Sequence, residues 1–348
     1  MSYTAEMIIR LREEKKEVRN RDFATSIGIS EAELVAAYCA IGKAKRLRAD
    51  VTTFLEHVPK IGIIMALTRN DNAVHEITGC FEKIVQGEHV LLTLGEIDLR
   101  IFPKKWKFCF EYEMVISGKS RKSLQFFDQY GIAIFKIYCK DATNIKEWSL
   151  LVEKLLHTDQ SPTLDVLSAP TPIQNDITEL DVEKFRNRWQ KMTDVHQLHA
   201  ILSEFKIGRH DAVKHAGDEF SNELNIESIE IMLNEAAQQE LPIMCFVSNE
   251  GCIQIFTGKV KNIKKMGPWL NILDQSFQMH LLTSEIDKVW HVRKPTKDGY
   301  VSSLEVFDKN GEMVIQFFGL RKEGQKERED WRLLLNNLPL YQEMAATN

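Results

Sequence analysis

The run Ser123-Leu124-Gln125-Phe126-Phe127-Asp128-Gln129-Tyr130-Gly131 has a counterpart later in the chain, Ser303-Leu304-Glu305-Val306-Phe307-Asp308-Lys309-Asn310-Gly311. The identical residues in the two runs are 180 positions apart (303 − 123). Other pairs keep nearly this offset: Ile27-Gly28 with Ile207-Gly208 at 180, Ile64-Met65 with Ile243-Met244 at 179, Thr78-Gly79 with Thr257-Gly258 at 179, and Trp148 with Trp331 at 183. An almost constant offset across separate segments predicts a tandem duplication of one structural unit.

The residue pattern of each repeat indicates a sheet with helices. From Val58 onward, short apolar runs are broken by Gly, Asn and Asp, which is typical of antiparallel strands. The predicted strands of the first repeat are residues 61–68, 73–81, 88–94, 97–102, 107–116, 121–127 and 133–139, and its predicted helices are residues 5–15, 22–43 and 144–156. We therefore predict the α+β class, with a tandem duplication in which each unit is a large antiparallel sheet with flanking helices.

The chain length supports a division into domains. Its 348 residues exceed the usual size of one hydrophobic core. Residues 157–180 contain several prolines and acidic residues and no Lys or Arg, as an interdomain linker would. The expected organisation is a first structural repeat at 1–157, a Pro-containing acidic linker at 158–180 and a second structural repeat at 181–348.

Composition limits the classes of partner. A net charge of −5, with 44% hydrophobic and 27% charged residues, is that of an ordinary globular protein. This balance provides no general attraction for nucleic acid or anionic lipid. The charged amino terminus lacks the apolar core of a signal peptide, and no apolar run reaches the length of a membrane span. We therefore expect a cytoplasmic protein with no nucleic-acid partner and no stable membrane insertion.

Residues 22–43 resemble a helix-turn-helix. Gly28 lies at the turn, and Ser30 with Glu33 forms a capping box at the start of the second helix. Such a helix pair is either a DNA reader or a structural corner. The acidic balance of the chain and the lack of a basic recognition face favour the structural corner.

One predicted helix, at residues 185–205, carries histidines where apolar residues are expected. The side chains that follow steps of three and four are Phe185, Trp189, Met192, His196, His199 and Leu202. This spacing predicts one helix face turned toward a core or a cavity. An imidazole on such a face is costly unless it is hydrogen-bonded or ligates a metal. A core histidine satisfied by a backbone carbonyl and a metal ligand both remain open.

The two repeats differ at this helix, because His196 aligns with Lys16 at the offset of 180. The sequence therefore predicts one principal binding site, with a wall in the strands of the second repeat. Residues 313–320 alternate so that Gln316 and Phe318 share a face. A histidine with aromatic residues and separated cations suits haem, since the iron takes an imidazole and the propionates take cations.

Three runs carry a resemblance to a known family. They are Trp189-Gln190-Lys191-Met192-Thr193-Asp194-Val195-His196-Gln197, Asn249-Glu250-Gly251-Cys252-Ile253-Gln254-Ile255-Phe256-Thr257-Gly258 and Arg293-Lys294-Pro295-Thr296-Lys297-Asp298-Gly299. They closely resemble the bacterial hemin-degrading factors, also called hemin transport proteins. Residues 70–76 and 98–102 and Trp331 are similar too, so the resemblance covers essentially the whole chain. The family fold is a pair of similar halves, each a large antiparallel sheet with helices.

The resemblance implies roles for individual residues. His196, in the second repeat, matches the proximal haem ligand, and Arg100 matches the distal arginine on the open side of the iron. The residues that match contacts to the haem edge and the propionates are Lys294, Gln316, Phe318 and Arg321. The family usually has tyrosine at the position of Phe318, so a hydrogen bond from that hydroxyl is lost.

Two further histidines are weaker candidates. His199 replaces an aromatic residue of the family and is a rival for the iron or a contact for a propionate. His75 matches a histidine of the first repeat that is a proposed secondary haem site in the family. A surface histidine is the alternative at His75.

The resemblance also implies a function in haem utilisation and iron acquisition, with haem b (iron protoporphyrin IX) as ligand or substrate. One implied function is an enzyme that opens the porphyrin and frees iron. Its electrons would come from an external donor such as a reductase, because the chain has no dinucleotide fingerprint. The alternative is a non-catalytic carrier that receives haem from an importer on the cytoplasmic side and delivers it to a separate haem oxygenase.

Overall fold

The computed structural model describes residues 3–116, 118–169, 180–321 and 324–342. The first repeat contains, in chain order, α1 (Ala5–Glu14), α2 (Asn20–Ser26), α3 (Glu31–Ala37), β1 (Ala44–Leu47), α4 (Val51–His57), β2 (Gly62–Arg69), β3 (Ala73–Gly79), β4 (Lys83–Gln86), β5 (Leu91–Leu94), β6 (Asp98–Ile101), β7 (Phe108–Ile116), β8 (Lys119–Phe127), β9 (Ala133–Thr143) and α5 (Ile145–Leu155). The second repeat contains, in chain order, α6 (Val182–Gln190), α7 (Gln197–Phe205), α8 (Arg209–His215), β10 (Ser221–Leu224), α9 (Ser228–Gln238), β11 (Ile243–Ser248), β12 (Cys252–Gly258), β13 (Ile263–Met266), β14 (Trp269–Leu273), β15 (Phe277–Leu282), β16 (Ile286–Thr296), β17 (Gly299–Asp308), β18 (Met313–Gly319) and α10 (Glu329–Asn336). α-Helices and β-strands follow one another in the same order in both repeats, which confirms the α+β class and the duplication.

The chain divides into two compact units. Unit 1 comprises Met1–Arg69, Glu76–Thr171 and Asn249–Gln254, and unit 2 comprises Asn70–His75, Pro172–Ser248 and Ile255–Asn348. Each unit therefore includes a short segment that belongs, in chain order, to the other repeat. A division of the chain at 158–180 does not anticipate this exchange, because it follows chain order alone.

Antiparallel strands form the centre of each unit. In unit 1 they pair in the order β1-β7-β8-β9-β2, and a second group pairs in the order β6-β5-β4. In unit 2 the corresponding orders are β10-β16-β17-β18-β11 and β15-β14-β13. The register is also repeated, because Gln125 lies opposite Lys136 and Glu305 lies opposite Gln316. Large antiparallel sheets with flanking helices are thus confirmed.

Three helices pack against one face of the larger strand group in each unit. In unit 1, Phe110 and Phe127 are buried in one cluster with residues of α1, α2 and α3. In unit 2, Trp290 and Phe307, each 180 positions later, are buried with residues of α6, α7 and α8. Because burial of one such side chain is worth about 2 kcal/mol, these contacts hold the helices on the sheet.

The predicted single helix at residues 185–205 is wrong. It is broken into α6 and α7, and residues 191–196 between them are not α-helical. Asp194 explains the break, because its Oδ1 accepts the backbone N–H of His196 at 2.7 Å. A short acidic side chain that bonds the local backbone competes with the hydrogen bonds of a helix.

Helices α2 and α3 form the predicted corner. Gly28 has a φ of +72° at the turn, a conformation that glycine adopts at low cost, and the capping box of Ser30 and Glu33 is present. Every residue of α3 except Glu33 is buried, which favours the structural corner over a DNA reader. Among the described residues no single helix is long and apolar enough to cross a membrane, although the bent pair Asn20–Ser26 and Glu31–Ile41 passes that test jointly.

Several short elements differ from the sequence prediction. β1, α4 and β4 were not predicted, and only Leu91–Leu94 of the predicted strand 88–94 is a strand. α4 begins with the β-branched run Val51-Thr52-Thr53, which favours strands. It forms a helix because Asp50 caps it by accepting the backbone N–H of Thr53 at 3.0 Å.

The predicted linker 158–180 falls only partly on the described residues, and residues 170–179 lie outside them. Residues 158–169 contain no helix or strand. Leu164 is nevertheless buried in the cluster with α1, α2 and α3, and the backbone N–H of Leu167 donates to the carbonyl of Gln129 at 2.9 Å. This part of the predicted linker packs as part of unit 1.

Candidate functional site

His196 lies in the turn between α6 and α7, at the residue that caps α7. One hydrogen bond from this turn and one from the end of α6 tie the segment to β16 and the turn after it. The backbone N–H of Lys297 donates to the carbonyl of Thr193 at 3.1 Å, and Trp189 Nε1–H donates to the carbonyl of Arg293 at 3.2 Å. Trp189 is fully buried. The position of His196 is therefore set by buried neighbours, although its own ring lies at the surface of unit 2.

Both histidines of the predicted helix face are exposed. The side chain of His196 is 89% accessible, and His199 is exposed as well. The buried residues of α7 are instead Leu198 and Ile201. The prediction of a stripe facing the core is wrong at both histidines, and so is the explanation by a core histidine. Because α7 starts anew after the break, its buried face is not a continuation of that of α6.

Asp194 orients the imidazole of His196. Its Oδ1 accepts a hydrogen bond from Nδ1 of the ring at 2.7 Å, as well as the bond from the backbone N–H. When Nδ1 donates this bond, the lone pair of Nε2 is the one that can ligate a metal. The backbone N–H of His196 has the largest effect in lowering the pKa of Asp194, and the ring and Arg321 add to it.

A buried ion cluster surrounds Glu305. Lys294 is 2% exposed, and its Nζ contacts Glu305 and donates to Ser303 Oγ at 3.1 Å. Arg209 binds the same carboxylate through Nε at 2.9 Å and Nη2 at 2.8 Å. Burial favours a raised pKa for Glu305, but Arg209 and Lys294 hold that pKa far below its usual range. Burial lowers the pKa of Lys294 to about 8, so two cations and one carboxylate give a net charge of +1 at neutral pH.

The strand face beside this cluster is aromatic. The ring of Phe318 lies 5.2 Å from Lys294 Nζ, and its centroid is 5.0 Å from that of Phe246. Gln316 and Phe318 are half-buried on one face of β18, opposite Phe246 and Met244 of β11. The predicted alternation is confirmed at Gln316 and Phe318, whereas a register irregularity between Met313 and Ile315 interrupts it at the start of the strand. A flat apolar surface next to surplus positive charge suits a porphyrin that carries carboxylates.

Glu327 and Arg321 influence the pKa values of groups in the ion cluster and in the turn that carries His196. Burial raises the pKa of Glu327, and Arg321 is among the groups that oppose this rise. Glu327 in turn favours the charged form of Lys294. Arg321 also helps to lower the pKa of Asp194, so its charge acts both on the turn that carries His196 and on Glu327.

Arg100 belongs to unit 1, on strand β6. Its Nη1 contacts the carboxylate of Asp98 and donates to the carbonyl of Leu99 at 3.3 Å. Burial raises the pKa of Asp98 and the charge of Arg100 lowers it. The side chain of Arg100 is 30% exposed. Its neighbours therefore hold it in place while part of the guanidinium stays accessible, and its predicted distal role stays a prediction.

His75 is fully buried, so the alternative of a surface histidine is wrong. Its ring centroid lies 4.8 Å from that of Phe277, and neither ring nitrogen has a hydrogen-bond partner among the described residues. Burial lowers the pKa of His75 to about 3, so the ring is neutral. In this conformation a ligand of the size of haem does not reach it.

Three residues of the site were missed by sequence reasoning: Asp194, Arg209 and Glu305. Asp194 had a signal, since a carboxylate two positions before a histidine is placed to bond its ring. Glu305 interrupts a buried strand between Leu304 and Val306, and a charge in such a place requires a partner. Arg209 had no signal, because it lies 96 residues from Glu305 along the chain.

The fold and the site define a class, namely duplicated α+β proteins whose second unit carries an accessible imidazole and an aromatic strand face beside a buried lysine. The model of the family described as the Haemin-degrading HemS.ChuX domain matches residues 28–155 and 206–338, one match in each repeat. The chain belongs to this family.

Particular relatives resemble the whole chain. The hemin transport protein HmuS of Yersinia pestis is 36% identical over 316 residues, which are 90% of each chain. The structure of holo-PhuS, a heme-binding protein from Pseudomonas aeruginosa, has a TM-score of 0.92 and 36% identity and covers 97% of this chain and 98% of that one. ChuS, described as an E. coli heme oxygenase, has a TM-score of 0.83 and 34% identity, with coverage of 91% and 95%. The likeness therefore includes both repeats.

Proposed function

We propose that this protein binds one haem b and opens its ring with electrons from an external donor, which releases iron. The observation that carries the proposal is the exposed ring of His196, which Asp194 holds through Nδ1 at 2.7 Å. The family and the heme-binding relatives support haem as the ligand. The same resemblance supports a role in cytoplasmic iron acquisition after haem import.

The residues of unit 2 would hold the haem in complementary ways. His196 would ligate the iron through Nε2, and Phe318 and Gln316 would lie along the macrocycle. Arg321 would attract a propionate directly. Lys294 would act through its charge, because it is buried and the ion cluster around it has a surplus of one positive charge. Phenylalanine at 318 provides apolar contact without a hydroxyl group.

Asp194 and Arg100 would also tune the reaction. Bound haem would supply the iron that activates oxygen. The bond from His196 to Asp194 makes the imidazole a stronger electron donor, as carboxylate partners of metal-bound histidines do. Arg100 is proposed to stabilise negative charge on the open side of the iron, since a guanidinium is a fixed positive charge with several donors. The electrons would come from a separate reductase.

A haem carrier that delivers its ligand to a separate haem oxygenase is the second candidate. The 89% exposure of the His196 side chain favours it, because a partner protein can approach an exposed ligand and replace it. The name of the Yersinia pestis relative agrees with this function. The two candidates share the binding residues and differ in what happens to the porphyrin ring.

Turnover with iron detection separates these functions. Purified protein with one equivalent of haem is mixed in air with NADPH and a reductase, or with ascorbate, with and without catalase. Loss of the Soret band and release of iron that persist with catalase support the enzyme. Loss only without catalase indicates peroxide damage and rejects the enzyme. A stable spectrum together with transfer to an added haem oxygenase supports the carrier.

Matched variants assign the ligands. His196→Ala and His199→Ala remove exposed rings three residues apart, and only His196→Ala should abolish the histidine-ligated spectrum. The reverse result would assign the iron to His199. Arg100→Ala should bind haem normally but open the ring about 100-fold more slowly, as loss of a charge-stabilising donor does elsewhere. Normal turnover by Arg100→Ala would reject its distal role.

A further inference from the structure

A cavity of about 310 Å³ lies at strand β1 of unit 1, and the proposed function does not use it. Three cations line it, Arg46, Arg48 and Lys107, together with the rings of Phe108 and His157. None of the described residues that line the cavity is acidic. A volume of this order is at the lower limit of small-molecule sites. The lining therefore suits a small anion.

One wall of the cavity, residues 157–160, is fixed to β1 by hydrogen bonds. The backbone N–H of His157 donates to the carbonyl of Arg46 at 3.1 Å. The side chain of Gln160 accepts the backbone N–H of Arg46 at 2.9 Å and donates to its carbonyl at 2.8 Å. Asp159 Oδ2 accepts a bond from Arg46 Nη1 at 2.7 Å. The cavity is thus formed by the fold itself, as small-molecule sites usually are.

Unit 2 repeats the backbone of this edge. The N–H of Tyr341 donates to the carbonyl of Glu223 at 3.0 Å, as that of His157 donates to Arg46 in unit 1. Strand β10 pairs with β16 as β1 pairs with β7. The matched residues, with unit 1 first, are Arg46 with Glu223, Lys107 with Asp287, Phe108 with Lys288 and His157 with Tyr341.

The side chains at this edge differ between the units. In unit 2, Lys288 Nζ lies 2.8 Å from Glu223 Oε1 and 5.1 Å from the centroid of the Tyr341 ring. Unit 1 has phenylalanine in place of this lysine and arginine in place of this glutamate, so the same pair cannot form there. The same position of the fold therefore holds an internal ion pair in unit 2 and a cationic cavity in unit 1.

Two of the three cations already have acidic partners, which lie outside the lining. Arg46 pairs with Asp159 at 2.7 Å, and Arg48 Nη1 lies 3.5 Å from Asp50 Oδ2. Lys107 is exposed, and its side chain has no ion pair or hydrogen bond within the described parts of the chain. Three cations and two carboxylates leave a surplus of +1 (3 − 2). Lys107 provides that surplus.

The cations can reach a ligand in the cavity. The side chains of Arg46 and Arg48 are 17% and 51% exposed. Each guanidinium has five N–H groups, so both keep donors besides those that face the carboxylates. Arginine binds phosphate through paired N–H groups and lysine binds it as a point charge. The half-buried ring of Phe108 adds an apolar wall.

We propose that this cavity of unit 1 binds the phosphate group of a small phosphate ester and holds an apolar part of the ester against Phe108. Lys107 and the arginines match the negative charge, and the volume of about 310 Å³ restricts the ester to a small molecule. The proposal does not depend on the function proposed for unit 2, because none of the residues that line this cavity is assigned to haem.

Isothermal titration calorimetry of the whole chain, in a buffer of low ionic strength without phosphate, tests the assignment. The probes are phenyl phosphate, inorganic phosphate and benzoate. Phenyl phosphate should bind several-fold more tightly than inorganic phosphate, because its ring contacts Phe108. It should also bind more tightly than benzoate, which has the same ring but a single negative charge. Added sodium chloride should weaken all three.

Lys107→Asp and Arg46→Glu give unit 1 the residues that unit 2 has at these positions. Each should weaken phenyl phosphate binding about tenfold, because a cation is replaced by an anion. Lys107→Asp changes an exposed side chain and serves where Arg46→Glu loosens the wall at residues 157–160. Lys104→Asp is the matched control, since it makes the same charge change at an exposed lysine outside the lining. It should change the affinity less than about twofold.

Several results would overturn the assignment. Phenyl phosphate that does not bind at millimolar concentration would reject the site. Equal affinities in Lys107→Asp and Lys104→Asp would show only a general attraction of anions to the surface. Benzoate that binds as tightly as phenyl phosphate would reject a phosphate group as the recognised feature. Inorganic phosphate that binds as tightly would remove Phe108 from the site and reject an ester.

Discussion

The hydrogen bond between Asp194 and His196 predicts how firmly the haem is held. Asp194→Asn keeps the shape and an oxygen that accepts the backbone N–H of His196, but it removes the negative charge opposite Nδ1. A hydrogen bond to a charged group contributes about 1.5–3 kcal/mol. Because the side chain of Asp194 is 52% exposed, solvent screening places the loss at the lower end. About 1.5 kcal/mol corresponds to roughly tenfold weaker haem binding.

Haem transfer to excess apomyoglobin, followed at the Soret band, measures this loss. The release rate of Asp194→Asn should rise about tenfold, in the range seen for partners of metal-bound histidines. The iron–histidine stretching frequency of the reduced protein should fall, because a less polarised imidazole donates less to the iron. Asp181→Asn is the control, since it removes a charge from the same repeat while the new side chain can still accept the N–H of Lys184, now bonded at 3.0 Å.

An unchanged release rate and stretching frequency in Asp194→Asn would refute this reasoning. Asp194 would then serve only the turn between α6 and α7. The two roles are distinguishable, because a residue that only shapes the turn affects thermal unfolding of the haem-free protein and leaves the stretching frequency alone.

Three further predictions concern unit 2. Raising the pH from about 7 to about 9 should weaken haem binding in a spectral titration, because Lys294 has a pKa of about 8 and its deprotonation takes the ion cluster from +1 to 0. Lys294→Arg stays charged and should abolish this pH dependence, and an equal dependence in both proteins would contradict the assignment. Glu305→Gln leaves two cations around a neutral amide and should lower the free energy of unfolding in urea by about 3 kcal/mol. A free energy of unfolding equal to that of the wild type would show that the cluster does not stabilise the fold. Gly319→Ala should lower the free energy of unfolding by about 1–3 kcal/mol in the same assay, because a Cβ there would lie 2.5 Å from Cγ of the buried Trp331. Wild-type stability of this variant would mean that the indole of Trp331 moves aside without cost.

Sequence patterns were sufficient for features that depend on neighbours along the chain. The offset of 180 predicted the duplication, and the alternation at residues 313–320 predicted β18. The capping box of Ser30 and Glu33 predicted the start of α3. Such features are local, because helices and strands have fixed periods and caps act within one turn. The helix at residues 185–205 was the exception, since one side-chain bond of Asp194 outweighed its apolar spacing.

The sequence by itself determined the class, the duplication and the family, because repeats and motifs are read along the chain. The tertiary structure alone decided which polar groups meet. Arg209 and Glu305 are 96 residues apart in sequence and form one ion pair, and the burial of His75 follows from packing that no local pattern records. The direction of His196 was likewise decided by folding. Its ring points outward because the break at Asp194 starts a new helix whose apolar face buries other residues.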